Sequence, residues 1–203
     1  MRCAGIAVAC LADLAASGCG DSKQRLAAGG STFAYPLMSK WADEFRKARN
    51  VELNYQSIGS GGGIRQMIAK TFEFACTDGP MNEEQLRDAR AVGGEVLHIP
   101  LALGAVVPVY NLEGVKRPLR FSGPILADIY LGKVTKWNDT ALRELNPETE
   151  LPDLEIVVLH RSGGSGTTSV WTDYLSRVSP EWKDRVGVGT EVIWPAGNGA
   201  GKG

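Results

Sequence analysis

The chain has 203 residues, 25 of them glycine, and a formal net charge of -1. This balance argues against a protein that binds nucleic acid by neutralising phosphates, because such proteins carry a basic face. Hydrophobic residues make up 43% and charged residues 22% of the chain, which excludes a disordered protein. Thirteen glycines fall into four clusters, at 29–30, 59–63, 163–166 and 197–203. Clustered glycine marks places where a backbone bends sharply or approaches another group closely.

Residues 1–24 have the pattern of an export signal. Arg2 is followed by an apolar run, Ala4 to Leu14, and then by small residues that precede Cys19. A basic start, an apolar stretch and small residues are typical of a secretory leader. The small residues resemble a bacterial lipoprotein cleavage site, which predicts lipidation of Cys19; a buried N-terminal helix is the alternative. We therefore expect the protein in the periplasm or on the outer face of the cytoplasmic membrane, with or without a lipid anchor.

Helical and strand patterns alternate along the rest of the chain. Alternating or continuous apolar runs predict strands at 51–57, 72–77, 96–100, 105–110 and 154–159. Apolar residues at four-residue spacing, and Pro36 in a first turn, predict helices from 36 onward and at 64–70, 83–91, 125–131, 140–145 and 167–178. The alternation predicts α/β layers around a largely parallel sheet, with a crossover at 101–104.

Three glycine-rich loops, at 29–33, 59–63 and 162–167, each precede a predicted helix. The first turn of a helix offers free backbone N–H groups and the positive end of the helix dipole. Glycine lets a ligand come close, and Ser or Thr adds a hydroxyl donor, so such a loop favours an anion. For one loop alone, helix capping by Ser or Thr is the alternative. Three such loops favour convergence on one oxyanion.

Two charged residues add to this pattern. Arg161 precedes the third loop, where its guanidinium can donate to two oxygens of an anion, although a surface ion pair is the alternative. Asp78 would repel an oxyanion unless the ligand brings a proton. Hydrogen phosphate carries one and sulfate does not, so Asp78 predicts selection of phosphate. Capping of the turn at Gly79 and Pro80 is the alternative for Asp78.

Other chemistries fit the sequence less well. The tail at 196–203 nearly matches a nucleotide-binding loop but lacks the Ser or Thr after Lys202. The only histidines, His98 and His160, lack metal-ligand spacing, and we expect no metal and no cofactor. His160 could serve as a base for Ser165, but a histidine at a strand end is more often structural.

Several short motifs follow one another in a fixed order between residues 29 and 203. They are 30–33 with Pro36, 55–63, 75–80, 128–133, 137–139, 161–168 and 194–195 with the glycine-lysine tail. In order and spacing they resemble the phosphate-binding proteins of bacterial high-affinity phosphate (Pst) ABC transporters.

The resemblance implies a two-lobed α/β fold of the periplasmic-binding-protein type II class, with mostly parallel sheets and the ligand between the lobes. Residues 25–102 would belong to the first lobe and 103–203 to the second. The family is longer, so we expect a C-terminally truncated chain that folds poorly alone or exposes apolar faces. The implied role is binding of inorganic phosphate and its delivery to membrane permease subunits, without catalysis.

The resemblance also implies roles for eight site residues. Thr32 and Phe33 would donate backbone N–H groups, and Thr32 and Ser60 their hydroxyls. Asp78 would accept the ligand proton and Arg161 would pair with the phosphate. The helix N-terminal donors would be Ser165, Gly166 and Thr167. The family usually has an aspartate at the position of Gly163, which braces the arginine, so Arg161 would be less fixed here and the affinity lower.

Three other functions stay open from the sequence. A cell-envelope phosphatase or serine hydrolase would use Ser165. A binding protein for another oxyanion, such as sulfate or molybdate, would use the same loops without the proton-reading role of Asp78. A cell-surface phosphate sensor or adhesion protein would also agree with the leader.

Overall fold

The computed structural model describes residues 24–201, so Cys19 and all of the predicted leader except Gln24, where β1 begins, lie outside the described residues. The strands are β1 (Gln24–Gly30), β2 (Val51–Ser57), β3 (Phe74–Cys76), β4 (Leu159–Arg161) and β5 (Asn198–Ala200). The helices are α1 (Tyr35–Arg49), α2 (Ser60–Ile68), α3 (Glu83–Gly93), α4 (Gly123–Tyr130), α5 (Thr140–Leu145), α6 (Gly166–Val178) and α7 (Pro180–Arg185).

The first three strands form a parallel sheet in the order β2-β1-β3. Gly30 at the end of β1 is in register with Ser57 on one side and Cys76 on the other. The carboxyl ends of all three strands therefore meet at one edge of the sheet. In open α/β sheets this edge is where ligands bind.

Local signals fix the helices around this sheet. Proline stands in the first turn of α1, and the helix ends at Arg49, followed by Asn50 with a left-handed φ of 55°. Helix α3 begins with a capping box in which Asn82 and Gln85 each bond the other's backbone N–H. The predicted helical face of α1 is only partly buried, since Trp41 and Phe45 are exposed by 44% and 42%.

Two hydrophobic cores form between residues 106 and 194. One is built on Trp182 and Leu175, both fully buried, with Trp171 and residues of α4. The other is built on the fully buried Leu142 of α5 with residues that include Val134 and Val158. Strands β4 and β5 pair in parallel beside them, and β5 was not predicted because its sequence is glycine-rich.

Three strand predictions differ from the structure. The segments 96–100 and 105–110 contain no strand, because no described strand runs alongside to accept their hydrogen bonds. Their side chains are largely exposed, and Leu103 between them is fully exposed. The predicted strand at 154–159 is reduced to an antiparallel bridge between Lys136 and Glu155 and to Leu159, where β4 begins.

Candidate anion-binding site

The first turn of α2 packs directly on the end of β1. The prediction placed 59–63 in a loop, but α2 already begins at Ser60, and Ser60 to Gly63 are buried. Gly59 has a φ of 83°, which favours glycine. A Cβ on Gly63 would lie 2.6 Å from the Cα of Gly30, so only glycine fits. The glycines thus let a helix start reach the edge where the three strands end.

Asp78 follows β3 at the same edge and is held by two serines. Ser31 donates its hydroxyl hydrogen to Oδ1 of Asp78. The backbone N–H of Asp78 donates to Oγ of Ser60, at 3.3 Å. The alternative role in capping the next turn belongs instead to Thr77, which bonds both backbone groups of Gly79. The carboxylate of Asp78 is therefore available to the site.

The third glycine-rich loop reaches the first sheet. Helix α6 begins at Gly166, after Ser165, which accepts the backbone N–H of Thr168 at 3.4 Å. A Cβ on Gly166 would lie 2.5 Å from Oδ2 of Asp78 and 2.5 Å from Oγ of Ser60. The start of α6 thus faces both the carboxylate and the first turn of α2.

Arg161, at the end of β4, lies near the same point. Its Nη2 is 3.9 Å from the position of a Cβ on Gly59. Its Nε is buried and has no hydrogen-bond partner among residues 24–201. A buried charged donor without a partner is costly, and an anion would satisfy it. Gly163 has no side chain that could hold Arg161 in place, and the space beside its Cα is open.

A cavity of about 770 Å³ opens from this region. Phe33, Asp78 and Thr167 line it, together with apolar residues of 96–107. Phe33 is 55% exposed and its ring contacts Gly104, while Thr32 is half-buried in the turn before α1. Seven of the eight predicted site residues thus lie in one region with the first turns of α2 and α6. The eighth, Thr32, is the neighbour of Phe33 in the sequence.

Two residues of this cluster escaped the sequence analysis. Ser31 appeared only as part of a motif, although a small polar residue before a helix is a recognisable signal. Tyr55 donates its hydroxyl hydrogen to the backbone carbonyl of Ser31, at 2.9 Å. Burial raises the pKa of Tyr55 above its usual range, and the neighbouring Cys76 and Asp78 raise it further. Burial likewise raises the pKa of the Cys76 thiol.

Ser165 and His160 do not form a nucleophile and base pair. His160 Nδ1 is 3.0 Å from the carbonyl oxygen of Arg161, and the ring stacks on Trp194 at 4.6 Å between centroids. Ser165 is 2% exposed and caps α6. Within residues 24–201, no cluster of three or more His, Cys, Asp or Glu side chains could hold a metal ion. Over the same residues, no helix is long and apolar enough to cross a membrane.

The comparisons with known proteins agree with this α/β arrangement of parallel strands and helices. A family model described as a PBP superfamily domain matches residues 16–201. The chain therefore belongs to the PBP superfamily.

Several curated relatives are phosphate-binding proteins by name. The chain is 49% identical over 181 residues to "Phosphate-binding protein PstS" of Pasteurella multocida. The alignment covers 89% of this chain and 51% of that protein. It is 48% identical to the protein of the same name from Xylella fastidiosa, over 88% of this chain and 48% of the relative. The chain spans about half the length of the curated relatives it matches.

Solved structures show the same fold at lower sequence identity. A protein from Clostridium perfringens whose structure was solved with bound phosphate aligns with a TM-score of 0.53 and 19% identity. The alignment covers 75% of this chain and 56% of that one. An ABC-type phosphate transport receptor from Vibrio cholerae aligns with a TM-score of 0.51 and 14% identity, over 88% and 62% of the two chains. The fold is thus that of periplasmic binding proteins.

Proposed function

We propose that this chain carries the anion site of an exported solute-binding protein for inorganic phosphate. The observation that supports this most is the meeting of Asp78, Ser60 and the first residue of α6 at one point. Two helix N-termini supply N–H donors there, and Arg161 supplies a guanidinium whose buried Nε has no hydrogen-bond partner within residues 24–201. The donors favour an oxyanion, and the carboxylate selects one that brings a proton.

The proton on the ligand decides between phosphate and sulfate. Hydrogen phosphate can donate a hydrogen bond to the carboxylate of Asp78, whereas sulfate would place two acceptors against each other. Leaving a buried acceptor unpaired beside a like charge is penalised strongly. The predicted roles of Thr32, Gly166 and Thr167 as donors, and of the Ser165 hydroxyl, belong to the same proposal. The predicted backbone donor of Phe33 does not, because its N–H already donates to Oγ of Ser31 at 3.1 Å.

The proposal extends to the place and partners of the whole protein. Residues 25–102 and 103–203 would contribute to two lobes that close on phosphate, and the protein would deliver it to the permease subunits of an ABC transporter. The leader-like residues 1–24 favour a position outside the cytoplasmic membrane, with Cys19 as the lipid-bearing residue. The names of the curated relatives support the ligand, and the protein would act without catalysis or cofactor.

Titration calorimetry with inorganic phosphate and sodium sulfate tests the proposal. We expect phosphate to bind at least about 100-fold more tightly than sulfate, and Asp78→Asn to reduce that ratio at least about tenfold, as an amide can donate to either anion. Asp173→Asn, on the surface of α6 beside Arg177, is the matched control and should leave the ratio unchanged. Equal affinities for the two anions in the unmutated chain would refute the proposal. Turnover of p-nitrophenyl phosphate that is lost in Ser165→Ala would favour the hydrolase instead.

A further inference from the structure

The hydroxyl group of Ser31 takes part in three hydrogen bonds at the site. Ser31 is 1% exposed and lies in the turn between β1 and α1. Its Oγ accepts the backbone N–H of Phe33 at 3.1 Å and that of Ala34 at 3.2 Å. The same hydroxyl donates to Oδ1 of Asp78.

These contacts fix the direction of the bond to Asp78. A hydroxyl has one hydrogen and two acceptor lone pairs. The N–H groups of Phe33 and Ala34 occupy both lone pairs, so the hydrogen of Ser31 points to Asp78. Oδ1 is therefore the acceptor in this hydrogen bond.

The other oxygen of the carboxylate is left for the ligand. Oδ2 faces the start of α6, where a Cβ on Gly166 would be 2.5 Å away. Ser60 does not compete for Oδ2 through the contact it makes, because its Oγ accepts the N–H of Asp78. Tyr55 also leaves the carboxylate free, since its hydroxyl hydrogen goes to the carbonyl of Ser31.

We propose that Ser31 is a positioning residue that makes Asp78 selective for a protonated oxyanion, by holding Oδ1 as an acceptor and aiming Oδ2 at the start of α6. This inference rests on the proposed function and adds a specificity-determining residue to it. Without the hydroxyl of Ser31, the carboxylate can rotate, and Oδ2 is no longer aimed at the start of α6. Phosphate would lose a fixed acceptor for its proton. Sulfate would no longer be repelled by a carboxylate oxygen held against it.

A purely structural role for Ser31 predicts something different. Removing a serine that accepts backbone N–H groups before a helix lowers the free energy of unfolding. Such a loss would weaken phosphate and sulfate binding alike. The ratio of the phosphate and sulfate affinities therefore distinguishes a role of Ser31 in selectivity from a purely structural role.

The test is a double-mutant cycle on that ratio, measured by calorimetry on the full chain. We expect Ser31→Ala to lower the phosphate-to-sulfate ratio about tenfold, the effect of one hydrogen bond to a charged group. In the Asp78→Asn background the same change should alter the ratio by less than about twofold, because Ser31 acts through the carboxylate. Ser31→Gly, which also lacks the hydroxyl and is tolerated at helix starts, should repeat the result if Ser31→Ala folds poorly. The matched control is Ser122→Ala, which removes the cap of α4 and should leave the ratio unchanged.

Three outcomes would overturn the inference. If the unmutated chain prefers phosphate and the Ser31 variants keep the full ratio, the proposed function stands and the role of Ser31 is refuted. The same holds if Ser31→Ala changes the ratio equally with and without Asp78→Asn. If the unmutated chain shows no preference for phosphate, the proposed function fails and the inference fails with it.

Discussion

Gly166 lies so close to Asp78 that no side chain fits between them. A Cβ on Gly166 would be 2.5 Å from both Cβ and Oδ2 of Asp78, well below the 3.0 Å that real contacts keep. The first residue of α6 and the end of β3 are more than 80 positions apart in the sequence. Their contact brings a positive helix end to a carboxylate, which is the relationship on which the proposed selectivity depends.

Gly166→Ala should therefore damage the site. The added methyl group would push α6 away from Asp78 and Ser60, and overpacking of this kind costs about 1–3 kcal/mol. We expect a lower free energy of unfolding in urea and at least about a tenfold loss of phosphate affinity. Gly163→Ala is the matched control, because a Cβ there meets nothing within 4 Å. An alanine at 166 that binds phosphate normally would contradict the close contact.

Arg161→Lys should weaken phosphate binding without weakening the ligand-free fold. Lysine keeps the charge but cannot donate two parallel hydrogen bonds, so we expect a loss of about ten- to 100-fold in affinity. Nε of Arg161 has no partner within residues 24–201, so its removal breaks no hydrogen bond of the described fold. Calorimetry and urea denaturation measure the two effects. Arg143→Lys, at an exposed position of α5, should change neither. An equal loss of stability and affinity for Arg161→Lys would indicate a structural arginine.

Tyr55→Phe should destabilise the fold in a pH-dependent way. The variant loses the hydrogen bond from the Tyr55 hydroxyl to the Ser31 carbonyl, which is worth about 1 kcal/mol. Burial raises the pKa of Tyr55 in the folded chain above that of the unfolded chain. The hydroxyl therefore contributes fully below about pH 10, the unfolded value, and the contribution is lost as the pH rises through the folded pKa. Urea denaturation at pH 7, 9 and 10.5 checks this, and a difference between the two proteins that grows with pH would contradict it.

The exposed apolar side chains of 97–109 should bind a hydrophobic dye. Leu97, Leu103 and Val109 are each at least 80% exposed, and residues of 96–107 line the large cavity. We expect strong fluorescence with anilinonaphthalene sulfonate that falls at least about twofold in Leu103→Glu/Val109→Glu, with stability nearly unchanged as is usual for surface substitutions. Ile193→Glu, equally exposed at 93% but outside this segment, is the control. No dye binding by the unmutated chain would show that the segment is covered in solution.

Sequence patterns predicted the elements whose signals are local. Strand β2 was predicted at its observed bounds because Val51, Leu53 and Tyr55 alternate with polar residues. Helix α5 likewise has its predicted bounds, with Asp139 as the cap. The segments 96–100 and 105–110 have equally apolar sequences, but a strand exists only beside a partner strand. Their sequence could not show that partner, and the described structure does not contain one.

The same division holds for the site. The sequence alone determined that glycine clusters stand at or just before the starts of three helices, and that Arg161 precedes one of them, because capping, helix dipoles and glycine conformations are local properties. Only the tertiary structure decided that Gly166 meets Asp78 and that Ser31 commits one oxygen of the carboxylate. Those relationships depend on parallel strands that end at one edge and on distances between residues far apart in the chain. Such distances follow from packing, which a linear pattern does not encode.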